Sequence, residues 1–189
     1  MQNISKRVAT NKVIHSFLAA NKAKGIGKSW GIGKRKQPRI YFQEIVESLS
    51  QYSENDLEKL VRDKRRLKRF KGHHWFIKCV ELKYVGGWPH VGDIPRGWCQ
   101  GSVVDVANQI TIHPNITNIT SESLKRISSM VTIIDDILDF FPPILVQGGE
   151  IRKTLDLLFL PFDVDDGSHR CIAAVLSRKK FINAYVGVM

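Results

Sequence analysis

The chain has 189 residues, of which 43% are hydrophobic; that is enough apolar material for a folded core and excludes bulk disorder. Its formal net charge of +11 is unevenly spread: residues 1–71 hold 18 Lys/Arg against 6 Asp/Glu, whereas residues 72–189 hold 11 against 12. No run approaches the ~18 apolar residues of a membrane span, and no long apolar stretch follows the N-terminus as a secretory signal would require. Three cysteines, Cys79, Cys99 and Cys171, show no C-x-x-C spacing, so reduced thiols and a cytoplasmic location are expected.

In chain order, Val8, Val13, Ile14, Phe17 and Leu18 give a weak helical pattern over residues 1–20. Residues 21–39 alternate Gly25, Gly27, Gly31 and Gly33 with cations, which predicts a basic loop. Within it, Gly25-Ile26-Gly27-Lys28-Ser29 lacks the leading glycine of a nucleotide phosphate loop, because Lys22 stands there. Residues 40–70 read as two helices joined near Gln51-Tyr52-Ser53, with Ser53 followed by Asp56 as a weak start signal for the second, which is rich in Lys and Arg. A strand is expected over residues 73–84, and a Gly, Pro and Trp-rich loop or domain boundary over 85–101. Val103, Val104, Val106 and Ile110 to Ile112 suggest one or two short strands. A helix follows over Ser121–Ile137, with Leu124, Ile127, Met130, Val131, Ile134 and Leu138 inward. Pro142-Pro143 precedes a strand at Ile144-Leu145-Val146, and Gly148-Gly149 turns the chain. Leu155–Leu160 and Phe162–Val164 supply strand material, a helix spans His169–Leu176, and Phe181–Val188 is a final strand. Alternating helices and strands put the fold in the α/β or mixed α+β class.

The most informative segment is Phe162-Asp163-Val164-Asp165-Asp166-Gly167-Ser168-His169-Arg170. A strand ends in carboxylates and a glycine, and a helix begins at once. The first turn of a helix offers unpaired N–H groups and the positive end of its dipole, which suits an anion. Gly167 permits close approach, Ser168 adds a hydroxyl, His169 can donate or move a proton, and Arg170 carries a two-pronged donor. The same residues also satisfy a plain capped helix with Ser168 at its start. Asp163 and Asp165 fall on one strand face, and with Asp166 they could hold Mg²⁺ beside a phosphate. His73, His74, His90, Cys79 and Cys99 match no standard zinc spacing, so no metal site is assigned.

Asp166-Gly167-Ser168-His169-Arg170, the small residues after it and the strand near Phe181–Val186 together resemble the ParB/sulfiredoxin superfamily. Pro142-Pro143-Ile144-Leu145-Val146 looks like that family's strand after its first helix. The resemblance covers about residues 103–189, so the chain divides into a basic, partly helical N-terminal region (1–100) and a phosphate-binding domain (103–189). It implies phosphate contacts at Gly167, Ser168, His169 and Arg170, and a nucleotide ligand (CTP, ATP or ADP), with or without Mg²⁺. Ser168 stands where sulfiredoxins carry a reactive cysteine, so sulfinic acid repair is not implied. If the chain is an enzyme of phosphoryl transfer or phosphodiester cleavage, Asp165, Asp166 and His169 are the candidate catalytic groups. More distant candidate carboxylates are Asp105, Glu122 and Asp156.

The N-terminal cations point to a polyanionic partner, DNA or another nucleic acid, contacted through Lys34, Arg35, Lys36, Arg62, Arg65, Arg66, Lys68 and Arg69. Such contacts reach phosphates and carry little sequence preference.

Overall fold

The computed structural model describes residues 5–25, 37–87, 94–113, 122–147 and 159–189. Six strands form one mixed sheet. They are β1 (Lys6–Val8), β2 (His74–Glu81), β3 (Val85–Gly86), β4 (Ile144–Gln147), β5 (Phe162–Asp166) and β6 (Phe181–Val188). Their order is β1-β2-β6-β4-β5-β3. β2 and β6 pair antiparallel along their whole length, from His74 opposite Val188 to Glu81 opposite Phe181. β4 runs parallel to β6 and antiparallel to β5, and β3 runs parallel to β5. Strands from both sides of the boundary expected near residue 100 therefore share a single sheet.

The described helices are α1 (Thr10–Gly25), α2 (Pro38–Ser50), α3 (Glu54–Leu60), α4 (Lys64–Lys71), α5 (Val103–Ile112), α6 (Glu122–Val131), α7 (Ile134–Phe140) and α8 (Ser168–Leu176). α1 packs against α2, α3, α4 and β2, whereas α8 packs against α5, α6 and α7. α2 meets α7 and so joins the two groups. The core runs through both, from Ile14 and Phe42 to Ile127, Ile172 and Val186.

Local chemistry explains most boundaries. Ser53 caps α3 by accepting from the Asp56 N–H at 3.3 Å, as its sequence signature suggested. Asp63 caps α4, its Oδ1 accepting from the Arg65 and Arg66 N–H groups at 3.0 Å each. α7 stops before Pro142, as expected from the bias against helical backbone ahead of proline.

Five expectations need correction. The second of the two helices expected over residues 40–70 is itself two, α3 and α4, parted at residues 61–63, where Asp63 caps α4. The strands expected from Val103 to Ile112 are instead the helix α5. Ser102 and Asp105 form a reciprocal capping box at its start, and Val103, Val106 and Ala107 turn one buried face inward. The cap and the helical spacing outweigh the strand preference of β-branched residues. The single helix expected over Ser121–Ile137 is two, α6 and α7, broken at the β-branched run Val131-Thr132-Ile133. Residues 21–25, read as the start of a loop, continue α1. Among the described residues a short edge strand, β1, also precedes α1; three residues are too few to show a periodicity.

Residues 26–36 of the expected basic loop, with Lys34, Arg35 and Lys36, lie outside the described residues, as do His90, the Gly148-Gly149 turn and residues 155–158; Pro38 and Arg39, read as the end of that loop, open α2 instead.

Trp75 anchors the junction of α1, α4 and β2. Its ring is buried, meets Phe70 edge-on at 5.8 Å, and its Nε1–H donates to the Phe70 carbonyl at 2.8 Å. A methyl group on Gly187 of the neighbouring strand would stand 2.8 Å from that ring, so the residue opposite must be small. Replacing Trp75 with Ala removes the packing and orphans the Phe70 carbonyl. The expected cost is about 3–5 kcal/mol, read as a lower denaturant midpoint in chemical unfolding.

Candidate functional site

β5 ends at Asp166, Gly167 turns the chain, and α8 begins at Ser168. Gly167 has φ +105°, a left-handed conformation that glycine adopts without penalty. A Cβ at this position would also stand 2.8–3.0 Å from the Arg170 guanidinium, so both backbone and space demand glycine.

Arg170 is only 1% exposed. Its Nη2 pairs with Asp166 Oδ2, and its Nη1 donates to the carbonyls of Phe141 and Pro142, the latter at 3.3 Å. The side chain thus ties the first turn of α8 to the segment between α7 and β4. Its Nε is buried without a partner and faces Gly167.

A cleft of about 500 Å³ opens beside this turn. Its wall is formed by residues 164–170, by Lys24 near the end of α1, by Met130 of α6, and by Asp63, Arg65, Arg66 and Arg69 in and before α4. The ion pairs inside it are ordered. Asp165, 4% exposed, is held by Arg66 Nε at 3.2 Å and Arg69 Nη2 at 2.5 Å. Arg66 Nη2 also donates to the Asp165 carbonyl at 3.1 Å, and its guanidinium lies 5.0 Å from the centre of the Phe17 ring. Asp166, 11% exposed, pairs with Arg170 on one oxygen and with Lys24 Nζ at 3.2 Å on the other.

The two adjacent carboxylates respond in opposite directions. Burial pushes the Asp165 carboxyl up, and the attraction of Arg66 and Arg69 does not cancel that push. Burial would also raise Asp166, but the charges of Lys24, Arg170 and Arg66 outweigh it and hold that carboxyl at about 2. Lys24 is lowered by burial, against the pull of Asp166. Cys171, one residue beyond Arg170, is buried and its thiol is pushed up to about 12, which makes it a poor nucleophile.

Gly167, Ser168, His169, Arg170, Asp165 and Asp166 therefore line one cleft together with Arg65, Arg66 and Arg69. Arg62 and Lys68 are exposed and lie outside its wall. Lys34, Arg35 and Lys36 fall outside the described residues. Asp163 is buried and does not line the cleft, so the carboxylate neighbouring Asp165 there is Asp166. Asp105 is taken up by the α5 capping box, and Glu122 pairs with Arg126 at 3.3 Å. Asp156 is outside the described residues. Among the described residues, no three or more His, Cys, Asp or Glu side chains gather into a metal-holding set. Sequence reasoning missed Lys24, which carries no local signal; helix α1 delivers it to residues more than a hundred positions away. Among the described residues no helix is long and apolar enough to cross a membrane.

Comparison of the chain with protein-family models, curated proteins and solved structures gives no match.

The depressed Asp166 carboxyl has a consequence for stability. A carboxylate whose folded pKa lies below its ordinary 3.8 stabilises the fold above that value, and the contribution is lost as pH falls toward about 2. The stability gap between the native protein and Asp166→Asn should narrow by about 2 kcal/mol between about pH 5 and pH 2. Denaturant unfolding of both proteins across that range checks it, and a constant gap would contradict the assignment.

Proposed function

We propose that this chain is a phosphate-binding protein of ParB/sulfiredoxin type that takes a nucleotide at the start of α8 and associates with DNA through its basic N-terminal region. The observation that carries the reading is convergence. Residues from α1, α4 and the β5–α8 turn, remote in sequence, bring five cationic side chains to the one helix start that follows a left-handed glycine. Lys24, Arg65, Arg66, Arg69 and Arg170 face Asp63, Asp165 and Asp166, a formal excess of two positive charges in the wall. An uncapped helix N-terminus, with no side-chain hydrogen bond at Gly167, adds amide donors and a positive dipole end.

The roles divide by exposure. The first-turn amides of α8, the Ser168 hydroxyl and the guanidinium of Arg65 are the groups suited to touch the anion. Arg65 is exposed and makes no ion pair among the described residues, so a ligand gains its charge without breaking another contact. Arg66, Arg69 and Lys24 are shared with Asp165 and Asp166, and a phosphate competes for them. Arg170 acts by fixing the turn. Asp165 and Asp166 are already engaged by cations and Asp63 caps α4, so Mg²⁺ is expected to arrive on the nucleotide phosphates and not at a dedicated protein site.

Binding is favoured over turnover. A general base at neutral pH needs a pKa near the working pH. Asp166, held at about 2, is a weak base, and Asp165 is tied to two guanidinium groups.

Calorimetric titration with CTP, ATP and ADP, with and without Mg²⁺, checks the proposal. Saturable binding of at least one nucleotide is expected. Arg65→Ala should weaken it about tenfold or more, the value of one charge-assisted hydrogen bond. Absence of binding by all three, and by inorganic pyrophosphate, would remove the reading.

A further inference from the structure

The cleft does not stop at its own wall. Arg65 lines it and is at the same time exposed on α4, where Lys64 and Lys68 are exposed too; Arg62, just before the helix, is exposed as well. None of these four side chains makes an ion pair among the described residues. Their neighbours Arg66, Arg69 and Lys71, in contrast, are all engaged, Lys71 with Glu58 at 2.7 Å. Residues three apart on a helix are surface neighbours, so Arg65 and Lys68 form one continuous cationic edge leading out of the cleft.

We infer that the phosphate taken at the start of α8 is the terminal phosphate of a nucleic-acid strand, whose following phosphates run along Arg62, Arg65 and Lys68. The inference rests on the phosphate-binding reading above and names its ligand class. Three observations support it. First, the wall carries a formal excess of two positive charges, which complements a terminal phosphomonoester bearing close to two negative charges near neutral pH better than an internal diester bearing one. Second, the wall at the start of α8 is built from groups already held in place, Arg170 being 1% exposed and Asp165 paired with Arg66 and Arg69, which suits one localised anionic group. Third, the unpaired cations outside the cleft have no ligand to serve if the phosphate belongs to a free mononucleotide alone. No bond is made or broken in this proposal.

The test is fluorescence anisotropy of the full chain with one short single-stranded DNA sequence in three forms: 5′-phosphorylated, 3′-phosphorylated and with both ends hydroxyl. One phosphorylated form should bind about tenfold tighter than the hydroxyl form, and the arm that does so names the end recognised. In Arg65→Ala that ratio should fall toward one. In an Arg62→Ala/Lys68→Ala double variant, all three forms should weaken together with a shallower salt dependence, while the ratio persists. All three replaced positions, Arg62, Arg65 and Lys68, are exposed, so loss of folding is not the expected cause. Equal affinity for the three forms while pyrophosphate still binds would overturn the terminal-phosphate assignment and leave the phosphate cleft standing. Equal affinity with no binding of pyrophosphate or nucleotide would remove both.

Discussion

The guanidinium of Arg170 closes a joint between two parts of the sheet. On one side it grips Asp166, the last residue of β5; on the other it donates to the carbonyls of Phe141 and Pro142 just before β4. β4 and β5 are adjacent and antiparallel, with an irregular register between Ile144 and Leu145. The arginine sits where that pairing ends and supplies donors to carbonyls that the helix α7 leaves behind. A buried charge is tolerated there because a carboxylate and two carbonyls receive it; with any partner removed it would be costly. The left-handed Gly167 is part of the same joint, since a side chain there would collide with the guanidinium. What the joint secures is the direction of α8, whose first residues line the cleft.

The cleft balances opposing demands. Five cations close together repel one another, and Asp63, Asp165 and Asp166 relieve that repulsion by standing among them. The relief is incomplete, because two positive charges remain in excess and Arg65 has no carboxylate of its own. Burial intensifies every interaction involved, which is why neighbouring carboxylates move in opposite directions: one faces three cations and is held down, the other is dominated by loss of solvent. On the proposed reading, an entering phosphate would meet Lys24, Arg66 and Arg69 already held by Asp165 and Asp166, which lowers the ordering cost of its capture. Arg66 and Arg69 tie α4 to β5 through Asp165.

Much of the local structure was legible in the sequence, for identifiable reasons. The β5–glycine–α8 turn, the final strand and the start of α3 each carry a local signature: a glycine between strand and helix patterns, a stretch rich in aromatic and β-branched residues, and, more weakly, a serine three residues before an acid. The α5 helix was misread because its side chains favour strands while its capping box favours a helix, and the cap with tertiary burial prevailed. The break between α6 and α7 lay hidden in an unbroken apolar stripe. Within the site, residues 165–170 were found from one short segment, whereas their meeting with Lys24 and with the inner edge of α4 is a product of the sheet and of helix packing. No local pattern encodes that Arg66 and Arg69 turn inward while Lys64 and Lys68 turn outward. Arg170 was legible as important, but the sequence suggested a hand extended to a ligand, and its geometry is that of a brace behind the hand.

The account stands or falls on whether the first-turn amides of α8 receive an anion. The most direct measurement is a ¹⁵N–¹H nuclear magnetic resonance titration of the full chain with inorganic pyrophosphate, following the Ser168 and His169 amides. The account predicts saturable downfield proton shifts at these amides and at the Arg65 side chain, with α5 and β2 unmoved. Resonances at residues 167–170 that stay in place while the exposed cations shift in a salt-like, unsaturable manner would contradict it.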